Sequence, residues 1–333
     1  MLLVGDIGGT FARLALVTPE HGLAQPVREA TLATGRYAGL EALVAEFLPP
    51  ASERVERIVL AVAGPVNGGR AELSNVGWVL DEQTLGQRLG GAPVHLLNDL
   101  VAMASAIPYL DPGALHTLQA GVPLEGGAIA VVAPGTGLGE AYLTWDGARY
   151  RAHPSEGGHA DFAPTDALQG ELLAWLSARF DHVSVERVCS GRGLPGLYDF
   201  LAQRGPLRES GRVAERLAAV QDRTPVIVDS AFDEREPSAL SLAAVELFAA
   251  ILAAEAGNAA LRVLATGGVY LGGGLPRRVL RVLAGDAFLE RFRRKGRLSS
   301  MLGRVPVHVI TRPGAVLLGA ALFARSAEGT PTG

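Results

Sequence analysis

Short apolar runs alternate along this chain with apolar positions at helical spacing. Leu2–Gly5 reads as a buried strand that enters the glycine-rich turn Gly8–Gly9–Thr10, and residues 11–19, with Phe11, Leu14 and Leu16 apolar, read as a strand leaving it. The turn therefore joins two strands, unlike a dinucleotide-binding turn, whose glycines join a strand to a helix. Leu40, Leu43, Val44 and Phe47 predict a helix over 38–48. Residues 57–66 predict a strand ended by Gly64–Pro65, residues 81–90 a helix capped by Asp81, and residues 93–99 a further strand. Strands alternating with helices predict an α/β domain with a mixed sheet.

The opening design returns in residues 128–145. A strand over 128–133 enters Gly135–Thr136–Gly137, and residues 140–145 leave as a strand. Two copies of one hairpin suggest duplicated halves, joined near 107–124. Stretches 166–180, 238–260 and 276–295 read as helical, and a third glycine cluster, Gly272–Gly273–Gly274, follows another strand. Residues 304–311 predict a late strand, and the chain then enters a terminal helix with Pro313 near its start. The most apolar stretch, 239–256, is interrupted by Glu246 and Glu255 and reads as too short and too charged to cross a bilayer.

Composition narrows the function classes. The chain has 333 residues, 48% hydrophobic and 19% charged, enough for two well-packed domains. Net charge is −4, and the one basic cluster, Arg291 to Arg297, reads as a solvated helix face, so no nucleic-acid partner is expected. The single cysteine, Cys189, excludes an internal disulfide and a multi-cysteine zinc site, and reads as a buried spacer. No signal peptide or membrane partner is expected, so the setting should be cytoplasmic. Lys295 is the sole lysine and does not follow a phosphate-loop glycine, which excludes a P-loop and a protein-kinase site.

The candidate chemistry lies in the turns. Glycine lets backbone N–H groups approach anionic oxygens, and Thr10 and Thr136 add hydroxyl donors. Asp6 would repel a triphosphate unless Mg²⁺ lay between, so it reads as a magnesium partner acting through water, or as a turn-stabilising acid. Asn98 and Asp99 stand where a strand meets a helix and read either as a helix cap or as a catalytic base. Glu156 and His159 flank two glycines, which places both polar groups in one space suited to sugar hydroxyls. Glu186 on its own reads as a surface-helix glutamate.

The segments LVGDIGGTFARLALV, AVAGPVNG, LSNVGW, LLNDLVAMASAIP, APGTGLGEAYL, SEGGHADFAP, HVSVERVCSGRGL, GGVYLGGGLPR and KGR, in order over nearly the whole chain, resemble the bacterial glucokinases. These are hexokinase-type enzymes of the sugar kinase, heat-shock ATPase and actin superfamily. The resemblance implies a two-domain, actin-like (ribonuclease H-like) α/β fold with a deep interdomain cleft, the small domain being 1–109 plus 312–333 and the large one 110–311. It implies ATP-dependent phosphorylation of the glucose 6-hydroxyl, with ATP and Mg²⁺ as cofactors and a homodimer as the assembly. It makes Asp99 the general base. It makes Asn75, Asn98, Asp99, Glu156, His159 and Glu186 ligands for glucose. Asp6, Gly8, Gly9, Thr10, Gly135, Thr136 and Gly137 would hold Mg-ATP phosphates, and Gly272, Gly273 and Gly274 would approach the adenosine.

Three positions depart from the family pattern: Pro134 where small residues are usual, Glu140 where an apolar residue is common, and Arg192 at a usual proline site. A related sugar kinase and repressor family carries a cysteine-rich zinc motif that one cysteine cannot supply. Mannose, fructose and N-acetylated hexosamines remain alternative substrates, ADP and polyphosphate alternative donors, and an actin-like ATPase module an alternative function.

Overall fold

The computed structural model describes residues 1–48, 54–73 and 76–325. The chain divides into two compact units, Met1–Asp111 with Tyr150–Pro154 and Arg312–Gly333, and Pro112–Arg149 with Ser155–Thr311.

In the first unit, strands β1 (Leu2–Ile7), β2 (Phe11–Val17), β3 (Arg28–Ala33), β4 (Arg57–Val62) and β8 (Val94–Asn98) form one sheet in the order β3-β2-β1-β4-β8. β1 pairs antiparallel with β2 and parallel with β4, which pairs parallel with β8. The central strands are apolar on both faces because both faces are covered. Leu3, Leu14, Ile58 and Leu60 pack with Leu40, Leu43, Val44 and Phe47 of helix α1 (Leu40–Phe47). Val4, Ala15, Val59 and Ala61, on the opposite face, pack with Ala102 and with Leu317, Ala320 and Ala321 of the C-terminal helix Ala315–Arg325. A three-stranded sheet not anticipated from the sequence, β5 (Val66–Asn67), β6 (Arg70–Leu73) and β7 (Trp78–Asp81), follows β4. Helix α2 (Glu82–Arg88) is capped as expected: Thr84 N–H donates to the Asp81 carboxylate at 2.9 Å. Helix α3 (Asp99–Ala106) lies so close to the C-terminal helix that any side chain at Gly319 would collide with the Ala102 carbonyl.

In the second unit, β9 (Leu115–Gln119), β10 (Ile129–Pro134), β11 (Leu138–Trp145), β13 (Gly268–Leu271) and β14 (Val307–Ile310) lie in the order β11-β10-β13-β14-β9. β12 is Tyr150–Ser155. β10 repeats the place of β1, antiparallel to the strand after its turn and parallel to a later strand. Helices α4 (Ala167–Ser177), α5 (Leu194–Arg204), α6 (Gly211–Ala218), α7 (Thr224–Ala231) and α8 (Ala239–Val263) build the rest of the core, and α5 to α7 were not legible as apolar periodicity.

The stretch 276–295 is largely helical as expected, in three short helices, Gly274–Arg278, Leu280–Leu283 and Asp286–Arg293, the last entered through the extended Gly285. Two expectations are corrected. The apolar stretch at 239–256 is not short: α8 runs 25 residues and is long and apolar enough to cross a membrane by length and composition. Most of it is instead buried in the core, and Glu255 is buried with it. The basic cluster is only in part a solvated face: Arg294 and Arg297 are exposed, but Arg291 pairs with Asp166 at 2.6 Å, Arg293 donates to Gln119 at 2.6 Å and Lys295 donates to the Ala254 carbonyl at 3.0 Å.

Candidate active site

The anticipated site residues fall into two sets, one in each unit. In the first unit, Ile7, Val62 and Asn98 are in register across three parallel strands, so β1, β4 and β8 end along one sheet edge. Carboxyl ends of parallel strands are where α/β folds bind ligands. Asp6, the turn Gly8–Gly9–Thr10 and Asn98–Asp99 all lie at that edge. The turn is pinned: Gly8 N–H donates to the Phe11 carbonyl at 3.0 Å, Thr34 N–H to the Thr10 carbonyl at 3.0 Å and the Thr34 hydroxyl to the Gly9 carbonyl at 2.9 Å. Thr34 is fully buried, and sequence reading missed it because nothing local marks its role.

The strand-to-helix junction divides two tasks between neighbours. Asn98 is the cap: its side-chain oxygen accepts from Leu100 and Val101 N–H at 3.0 and 3.2 Å, and its amide donates to the Gly64 carbonyl at 3.0 Å. Asp99 opens the first turn of α3. Burial and the neighbouring Asp6 charge push the Asp99 carboxyl up to about 6, against the pull of first-turn N–H groups. Burial likewise raises Asp6 to about 6, opposed by Arg13, which faces it across the hairpin. A carboxylate poised near neutrality can accept a proton from an alcohol as a bond forms to its oxygen.

In the second unit, the turn after β12 presents Glu156 and His159 outward. Both side chains are exposed, with His159 Nδ1 3.8 Å from the Glu156 carboxylate. His159 N–H donates to the Glu156 carbonyl at 2.9 Å, which closes the turn. Glu186 is not on a helix. It is half-buried in a loop, where its N–H donates to the Gly158 carbonyl at 2.9 Å and its carboxylate accepts from Leu138 N–H at 2.8 Å. That carboxylate also lies where a side chain at Gly137 would go, so Glu186 ties the Glu156 turn to the Gly135–Gly137 turn.

Two further loops meet the Gly135–Thr136–Gly137 turn. Gly191 and Arg192 N–H donate to the carbonyls of Gly135 and Thr136 at 2.8 and 3.1 Å. The segment Ser190–Gly193 was not anticipated as part of the site, although its paired glycines in SGRG were a signal. Gly272 N–H donates to the Val132 carbonyl at 3.0 Å, and Gly273, at φ 82°, lies so close to the Pro134 carbonyl that a side chain would collide with it. The structure thus brings together Glu156, His159, Glu186, Gly135, Thr136, Gly137, Gly272, Gly273 and Gly274 in one unit, and Asp6, Gly8, Gly9, Thr10, Asn98 and Asp99 in the other. Asn75 lies outside the described residues.

A family model described as Glucokinase matches residues 3–327. A glucokinase of Nostoc punctiforme is 37% identical, covering 97% of this chain and 98% of that protein. The crystal structure of a glucokinase from an Antarctic psychrotroph is 31% identical with a TM-score of 0.80, covering 98% of this chain and 99% of that one. A ROK-family glucokinase from Streptomyces griseus, solved with glucose and AMPPNP, gives a TM-score of 0.63 at 20% identity, covering 98% and 99%. That last likeness is one of fold, the actin-like α/β fold of these sugar kinases.

Proposed function

The chain belongs to the glucokinase family, and from that premise we propose how its residues phosphorylate glucose. It is an ATP-dependent kinase for glucose, the activity its family match and its glucokinase relatives support. The observation that carries the mechanism is the Asp99 carboxyl, held at the first turn of α3 beside Asp6 and raised to about 6. At neutral pH it is ionised, yet basic enough to take the proton of the sugar 6-hydroxyl as the phosphoryl group arrives.

Phosphoryl transfer has a loose transition state, so positioning and charge stabilisation supply most of the rate. Glu156, His159 and Glu186 supply acceptors and donors for neighbouring sugar hydroxyls, and Asn98 holds the α3 terminus so that Asp99 keeps one direction. The glycine turns and the hydroxyls of Thr10 and Thr136 supply donors for phosphate oxygens, and Gly272–Gly274 leave room for the adenosine.

Asp6 and Asp99 are two neighbouring carboxyls, with Arg13 facing Asp6 across the hairpin, a hard-oxygen pair that fits a hydrated Mg²⁺. Asp6 would hold the ion through water, and bound Mg²⁺ would neutralise phosphate charge. The same reading includes a cytoplasmic homodimer.

The direct test is Mg²⁺- and ATP-dependent formation of sugar 6-phosphate over glucose, mannose, fructose, galactose and N-acetylglucosamine. Fast turnover on glucose is expected. No turnover on any sugar while ATP still binds would overturn the assignment.

A further inference from the structure

Behind the Glu156–His159 turn lies a group of charges that the mechanism does not use. Glu140, on β11, and Glu255, on α8, are 5% and 4% exposed, so both carboxyls are removed from water. Charged groups at that depth are kept only when partnered. Arg262 donates to Glu255 at 2.7 Å and to Glu140 at 3.4 Å. Asn258 donates to the other Glu255 oxygen at 3.0 Å, and Lys295 binds Asn258 and the Ala254 carbonyl. Both carboxyls converge on one guanidinium nitrogen, Nη1 of Arg262, so a single cation faces two buried acids. Burial and the Glu255 charge hold the Glu140 carboxyl well above the usual carboxylate range, with Arg262 opposing. One Glu140 oxygen, Oε1, is buried with no hydrogen-bond partner, and the other lies where a side chain at Gly157 would go. The peptide between Glu156 and His159 therefore rests on this carboxyl.

We propose that Glu140 is a positioning residue for the sugar-binding turn: it shares one proton with Glu255, and the carboxyl so held sets where Gly157, and through it Glu156 and His159, sit. This rests on the reading that Glu156 and His159 bind the sugar. The groups that face Glu140 are Glu255 and Arg262 from α8, Lys295 beyond Glu255, and the buried Cys189 thiol, while the Gly157 backbone lies against its carboxyl. When the shared proton is lost, Glu140 becomes a second buried negative charge beside Glu255 on the one Arg262 guanidinium, and the support under Gly157 shifts.

The test is the glucose KM as a function of pH, from about pH 6.5 to about pH 9.5. In the wild-type enzyme it should rise roughly fivefold or more toward the alkaline end, while the KM for ATP stays flat. Glu140→Gln cannot ionise and should hold the glucose KM flat over the range. Glu255→Gln removes the charge that raises Glu140, so the rise should begin at lower pH, which gives a second readout if Glu140→Gln folds poorly. A flat wild-type KM, or an unaltered alkaline rise in Glu140→Gln, would overturn the proposal. Glu156→Gln separates the two layers. If it leaves the glucose KM unchanged, the sugar-binding reading itself fails. If it raises KM while the glucose KM of the wild-type enzyme is flat with pH, only the role of Glu140 fails.

Discussion

Each unit of this protein holds a pair of neighbouring carboxyls, and the two pairs are built for opposite ends. Asp6 and Asp99 are half-buried at a strand edge, next to a glycine turn, with Arg13 opposing Asp6. Glu140 and Glu255 are buried in the core, against Arg262, with Asn258 and Lys295 outside them. Burial raises Asp6, Asp99 and Glu140, and a neighbouring carboxylate adds to the rise at Asp99 and at Glu140. On the proposed mechanism the first pair holds a proton acceptor that substrate must reach, and on the inference above the second keeps a proton that substrate never touches. Exposure, more than charge count, decides which carboxyl becomes a reagent and which becomes scaffold.

The comparison breaks most sharply at Asp99. Asp99→Asn should keep the fold and glucose binding but lower kcat by roughly 10²–10⁴, the usual span for a general base. Steady-state kinetics with calorimetric glucose binding would check this, and near-normal turnover would make Asp99 no more than a helix residue. A smaller effect is expected from its neighbour. Asp6→Asn should lower kcat by roughly 10–100-fold, as loss of an outer metal partner does. It also removes the negative charge that raises Asp99. In the wild-type enzyme, kcat/KM should fall about tenfold per pH unit below about 6, because the base works only when ionised. In Asp6→Asn that acid limb should move to lower pH, and an unmoved limb would separate the two carboxyls.

The smallest effect is on stability, in the buried pair. Glu140 is raised in the folded state, so its protonated form contributes stability that is fully present below the unfolded carboxylate value and is lost as pH rises through the raised one. Wild-type Tm should therefore fall further than that of Glu140→Gln between about pH 7 and about pH 9.5, by a few degrees. Equal slopes by calorimetry would show that Glu140 stays ionised in the fold.

The first pair was legible in the sequence and the second was not. Asp6 and Asp99 stand next to strand ends and glycine turns, features that local pattern exposes. The paired hairpins were legible for the same reason, since β-turn glycines mark themselves. Glu140 was noticed only as an acid where an apolar residue is common, and Glu255 only as an interruption of an apolar run. Their partnership depends on α8 packing against β10 and β11, which no local window contains. Thr34 and the Ser190–Gly193 loop were missed because their roles are backbone hydrogen bonds made to distant turns. Asn98 shows the limit from the other side: pattern placed it at a helix start, and the structure assigns it the cap that Asp99 was equally suited to fill.

The close crossing of Gly319 over Ala102 also bears on how the chain matures on the ribosome. One layer of the first unit's core, beneath α3 and β1, is made from Leu317, Ala320 and Ala321, which are translated after every residue of the second unit. The second unit, Pro112–Arg149 with Ser155–Thr311, can complete its core while the N-terminal sheet still has an uncovered face. The half that bears Asp6 and Asp99 is encoded first and sealed later, so the nascent chain should rely on chaperone cover at its N-terminal end until helix Ala315–Arg325 emerges.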